Sequence, residues 1–169
     1  MNRGFTLVET IIYTAIVGTV ISGFVVFTFS IGDSRNKNYV VQEVQGNSRV
    51  ALDFVTQRVR ASEGVNIGSS TFGSDPGVLS LQMADAAKNP TLISLSADDG
   101  QLQIKEGASA YVNITSDEVK VTNLVFTNLT GTSDFENVQI NATIEFNNTG
   151  TDVHYDFTQS WQTAVSARE

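Results

Sequence analysis

The chain has 169 residues, 41% of them apolar, with 18 acidic and 10 basic side chains, which suits one modest domain with its own core and a further segment beside it. The charge is uneven: residues 65–169 carry 4 basic and 13 acidic side chains, whereas residues 1–64 carry 6 and 5, so no direct nucleic-acid contact is expected of the acidic part. The absence of cysteine excludes a disulfide framework, CxxC redox chemistry and thiolate metal sites.

The chain opens MNRGFTLVETIIYTAIVGTVISGFVVFTFSI, and Ile11 to Ile31 is a run of 21 residues without a charge. As a helix it is long enough to cross a hydrocarbon core about 30 Å thick. A cleaved secretory signal has an apolar region of only about 7 to 15 residues followed by a small-residue cut site; this run is longer, and no A-x-A-like site follows it. One acid, Glu9, stands at its head. A charge at the centre of a span costs roughly 2.5 to 3.5 kcal/mol on insertion scales, and less near the headgroups, so it normally has a partner or a role. The plainest role is to favour the positive N-terminal end of the helix.

The short basic leader (Met1 to Gly4, with Arg3), the glycine before Phe5, and Thr6, Leu7, Val8 and Glu9 running straight into the span resemble the class III signal of type IV prepilins and pseudopilins. The resemblance implies cleavage after Gly4 by a prepilin peptidase, N-methylation of the new terminus on Phe5, and retention of the span. It implies an assembly role for Glu9, with the α-amino cation of a neighbouring subunit's Phe5 as the counter-charge that sets axial register. The partners it implies are the membrane, prepilin peptidase and other pilin or pseudopilin subunits, with an assembly platform and ATPase acting indirectly. It implies no cofactor.

Past Ile31 the sequence turns polar but keeps a helical rhythm. Val40, Val44, Ala51, Val55 and Val59, flanked by Val41, Leu52 and Phe54, recur at spacings near three, four and seven, with Gly46 as the only glycine or proline; an amphipathic helix from about Asp33 to Ser62 follows. Joined to the span it makes one long helix, with Gly18, Gly23 and Gly32 as points of weakness. Major pilins often carry a proline in the span. Here both prolines, Pro76 and Pro90, lie far downstream, so any bend must come from glycine.

The remainder reads as strands: 78–83, 91–96, 101–105, 111–115, 118–126, 137–146 and 152–161 alternate apolar and polar residues between Gly, Asn, Asp and Ser turns. "DDGQ" (98–101) is a hairpin turn. The clearest strand turns Val138, Ile140, Ala142, Ile144 and Phe146 inward. The expected fold class is α+β: a long N-terminal helix packed on one antiparallel sheet with one wet face, pilin-like. The expected parts are a leader (1–4), a transmembrane and polymerisation helix (5–31), the amphipathic soluble half of the helix (32–64) and a β-sheet domain (65–169). Within the family, "EVKVTNLVFTNLTG", "ENVQINATIEF" and "FTQSWQTAVSARE" are similar to minor pilins and pseudopilins of the J/W type.

Other chemistry finds little support. The sole histidine, His154, alternates onto the polar face of "DVHYDF". Asp98 and Asp99 with Gly100 lack the spacing of a D-x-[DN]-x-[DN]-G calcium loop and read as a turn. Asn113, Asn128, Asn141 and Asn147 begin N-x-[ST] triplets of little weight on exposed strands. No nucleophile, phosphate-cradling or metal motif is present, so no catalytic or metal residue is named and the chain is not expected to be an enzyme. The leading expectation is a structural subunit of a type IV pilus or type II secretion pseudopilus. It would sit in the cytoplasmic (inner) membrane before assembly and in an extracytoplasmic filament or on the cell surface afterwards. The alternatives are a binding or initiator module at a pilus tip, using the loops 68–77 and 128–137, and an unprocessed membrane-anchored envelope protein.

Overall fold

The computed structural model describes residues 6–131, 136–148, 150 and 155–167. One helix, α1 (Leu7–Ala61), runs without a break through Gly18, Gly23, Gly32 and Gly46. Among the described residues eight strands follow: β1 (Gly64–Val65), β2 (Leu79–Gln82), β3 (Thr91–Leu95), β4 (Leu102–Glu106), β5 (Val112–Asn113), β6 (Val119–Asn128), β7 (Asn137–Phe146) and β8 (Thr158–Ser166). The chain forms two compact units, one ending at Tyr39 and one beginning at Val40.

In the second unit, helix residues Val40, Val44, Ser48, Ala51, Val55 and Val59 are buried, a stripe repeating every three or four residues as the sequence predicts. Each fully buried valine contributes about 1.5 to 3 kcal/mol. Val44, Ala51, Val55 and Val59 share one core with Leu79, Leu81, Ile93, Leu102, Leu124, Phe126, Ile140 and Ile144. Arg58, near the C-terminal end of α1, lies over the Phe54 ring and pairs with Glu106 at 3.0 Å. Asn47 joins the helix to the turn before β6, its Oδ1 accepting from Ser116 N at 2.9 Å and its Nδ2 donating to Ser116 Oγ at 3.2 Å.

The strands form two antiparallel sheets, β1-β2-β3-β4-β5 and β6-β7-β8, where the sequence suggests one. Alternation reports which face of a strand is buried, but not which strand lies next to it. The two sheets meet through loops instead of a continuous ladder. Gly73 N donates to Phe126 O (2.8 Å), Gly77 N to Leu124 O (2.7 Å), Leu124 N to the Asp75 carboxylate (2.7 Å) and Val121 N to Gly100 O (2.8 Å). These contacts seal the outer edge of β6. Only glycine fits at 77, where a Cβ would stand 2.8 Å from the Phe126 ring and 3.0 Å from Leu124 O. A backbone bond from Val65 to the Glu136 carboxylate makes a second link between the sheets.

The strand calculus of β6 has an irregularity with a clear cause. Val119 and Val121 face inward, and so do Leu124 and Phe126. Period-two alternation cannot serve both pairs. A register shift between Val121 and Asn123 flips the face and buries all four. The turn read at Asp98–Asp99 is the β3–β4 hairpin, closed by Ser96 N on Gln101 O at 2.8 Å, with Gly100 at φ 63°.

The last strand runs Thr158–Ser166, past the end of its expected 152–161, of which residues 152–154 lie outside the described residues. The inward parity is as read, since Phe157 and Trp161 pack against the core. Apolar side chains thin out after Trp161, whereas the ladder to β7 continues through backbone bonds that no side chain advertises.

Candidate assembly segment

The first part of α1 begins with a local cap. Thr6 precedes the helix, its Oγ1 accepts from Glu9 N at 3.3 Å, and its carbonyl accepts from Thr10 N at 3.1 Å. Thr6 and Glu9 are spaced as in an S/T-x-x-E capping box. This spacing is visible in the sequence beside the lone charge of Glu9. A carboxylate in the first turn also meets the positive end of the helix dipole.

Beyond Glu9 the helix is apolar on every side and bare of protein. Phe24, Val26 and Phe29 are 68% exposed or more. The segment is long and apolar enough to cross a membrane, with none of its apolar window buried. Four of its hydroxyls bond back to the helix's own carbonyls: Thr14 donates to Thr10 O (2.8 Å), Thr19 to Ala15 O (2.9 Å), Ser22 to Gly18 O (2.8 Å) and Thr28 to Phe24 O (2.9 Å). With the backbone and these four hydroxyls bonded within the helix, hydrocarbon can surround them without stranding a polar group.

Of the residues singled out from sequence, Glu9 lies within the first turn, and no ion pair to it occurs among the described residues. Gly4 and Phe5 lie outside the described residues, as does His154. The loop 68–77 is tied down at Thr71, Gly73, Asp75 and Gly77, so little of it is free to adapt to a partner. The loop 128–137 is described only in part. Three of the four asparagines are engaged within the fold: Asn113 with the Gln101 side chain, Asn128 with Thr130 N, and Asn147 with Asp117 O. Among the described residues no group of three or more His, Cys, Asp or Glu is placed to hold a metal ion.

In comparison with known proteins, no family model, curated protein or solved structure matches the chain.

Proposed function

We propose that the chain is a pilin-like structural subunit, a minor pilin or pseudopilin, cleaved after Gly4, N-methylated on Phe5 and assembled through its N-terminal helix into a type IV pilus or type II secretion pseudopilus. The observation that carries this reading is a single uninterrupted helix with two characters. Its first part offers an apolar surface with no cover of its own, and its second part is the spine of a β-domain. A membrane covers the first part before assembly. Helices of neighbouring subunits replace it in a filament, where Glu9 meets the new amino terminus of a neighbour.

Intact-mass measurement on protein recovered from cells with and without a prepilin peptidase tests the proposal. The expected result is peptidase-dependent loss of Met1 to Gly4 with one added methyl group on Phe5. Retention of the leader in both strains overturns it.

A second reading, an unprocessed membrane-anchored envelope protein, is favoured by the Thr6 cap. There Glu9 serves the start of its own helix instead of a neighbour. Glu9→Gln separates the two, because glutamine can still act in a capping box while losing the charge. Normal membrane retention with filament incorporation lost on substitution supports the subunit; membrane retention with no filament incorporation by either form supports the anchor.

A further inference from the structure

The helix does not stop where its apolar run does. α1 continues past Ile31 to Tyr39, the last residue of the first compact unit, and residues 32–39 are all exposed. Ser34 Oγ donates to Ser30 O at 2.8 Å, so the turn that leaves the run is closed like those before it. In this stretch stand Arg35 and Lys37, the only cations between Arg3 and Arg49. Among the described residues neither forms an ion pair. At a rise of 1.5 Å per residue, Arg35 lies about 6 Å beyond Ile31 along the axis and Lys37 about 9 Å. With Ile31 at the edge of the hydrocarbon, this is headgroup level, because the polar zone adds about 5 to 7 Å on each side of the bilayer. Helical side chains lean toward the N-terminal end of their helix, here back toward the span, and long cationic ones can reach along it.

The two cations are not equivalent. Ile31, Arg35 and Tyr39 are spaced by four and share one side of the helix, whereas Asp33 and Lys37, also four apart, share the opposite side. Asp33 therefore offsets the field of Lys37. Arg35 has no charged residue three or four positions away in either direction. Its guanidinium can hold a phosphate through two parallel N–H···O bonds, a geometry that the lysine ammonium lacks. Tyr39, one turn further on, is of the type that settles at a membrane–water boundary.

We propose that Arg35 and Lys37 form a binding site for the phosphate of anionic phospholipids at the Ile31 end of the span, with Arg35 as the principal contact. A bilayer that covers the apolar run brings phosphates to this level on every side of the helix, and needs no second protein to do so. The site and its occupant are complementary in charge. Carboxylates from another copy of this acidic chain could approach one side of the helix only, and only after assembly. The inference rests on the first part of α1 spanning a membrane, and not on processing at Gly4. For an assembling subunit it has a consequence: a helix that leaves the bilayer must release these lipids, so the two cations set how firmly the unassembled chain is held.

The chain has no cysteine, so Asn36→Cys, an exposed position between the two cations, takes a single fluorescent label. The full chain is reconstituted into phosphatidylcholine vesicles that contain a minor share of phosphatidylglycerol. A nitroxide on the headgroup of either lipid quenches the label, and the ratio of the two efficiencies at equal mole fraction reads the local enrichment of the anionic lipid. One cation near the surface is worth about five-fold in such attraction, and with Asp33 offsetting Lys37 the expected enrichment is about five- to ten-fold. Arg35→Gln is expected to reduce it to about two-fold or less, Lys37→Gln to cost less than that, and Asp33→Asn to raise it. Sodium chloride near 1 M should weaken it. Inorganic phosphate at matched ionic strength should compete no better than chloride; stronger competition would assign the site to free phosphate and overturn the lipid. Equal quenching by the two lipids overturns the proposal, and so does enrichment that Arg35→Gln leaves unchanged. A larger loss from Lys37→Gln than from Arg35→Gln overturns the role given to Arg35. The assay involves neither a peptidase nor a filament, so the subunit reading and the lipid site can each fail without the other.

Discussion

The two parts of α1 have nearly the same secondary structure and opposite surroundings. Between Leu7 and Ile31 apolar side chains occur on all sides and stay exposed; from Val40 to Val59 a stripe of them is buried, four of its valines at 1% exposure or less, and Val50 alone of the large ones stands exposed. What differs is periodicity and not helicity. A stripe can be satisfied by one sheet face, whereas an apolar girdle needs a medium that surrounds it. Charge should therefore be lethal to the domain in one part and lethal only to membrane retention in the other.

The largest expected effect comes from Val55→Asp. Val55 is fully buried, and an unpaired carboxylate there should cost about 4 kcal/mol or more, enough to unfold a domain of ordinary stability. Val17→Asp places the same group on an exposed helix face. It should leave the urea midpoint of the domain in detergent unchanged while lowering the fraction retained in membranes. If Val17→Asp moved the midpoint as far as Val55→Asp does, the division between the two parts would fail.

On the sheet side of the same core, Ile144→Ala should destabilise by about 2 to 5 kcal/mol and Thr143→Ala by less than about 0.5 kcal/mol. Ile144 is fully buried, whereas Thr143 faces outward and bonds Ser160 across the strands at 2.9 Å. Equal shifts in chemical denaturation would mean that the buried face of β7 is wrongly assigned.

These contrasts also mark what sequence could reveal. The helix stripe and the buried face of β7 depend on spacing along one element, and spacing is visible in a string of letters. The split into two sheets depends on which strands become neighbours. Here that is decided by the close approach at Gly77 and by the Asp75 carboxylate meeting Leu124 N, contacts 47 to 49 residues apart in the chain. No local pattern encodes such a distance. The bulge in β6 falls between these cases: the change of phase from Val119 and Val121 to Leu124 and Phe126 was legible, but its resolution needed the β7 ladder. At the candidate assembly segment, the lone charge of Glu9 and its capping-box spacing from Thr6 are both visible in the sequence.

A smaller effect is expected where the helix is tied to the β-domain by polar atoms. Asn47 makes two bonds to Ser116, and serves as both donor and acceptor. Asn47→Ala should cost about 1 to 2 kcal/mol, because Ser116 N loses its acceptor in a half-buried position. Asn47→Asp keeps that acceptor, and should recover part of the loss in the same denaturation measurement. An aspartate variant as unstable as the alanine one would show that the donated bond to Ser116 Oγ dominates.

The smallest effect has the opposite sign. Ser48 sits in the middle of the buried stripe, between Val44 and Ala51, at 3% exposure, and its Oγ has no hydrogen-bond partner. A hydroxyl stripped of water and left unpaired is a cost that the fold carries. Alanine removes the oxygen, fills nearly the same space and is the better helix former. Ser48→Ala is therefore expected to stabilise the domain by about 1 kcal/mol, while the apolar first part of the helix gives the same membrane retention as before. A fall in the denaturation midpoint would mean that the hydroxyl is bonded in solution. In that case the stripe would include a polar contact, and the contrast between its buried valines and the exposed girdle would be less sharp at this one position.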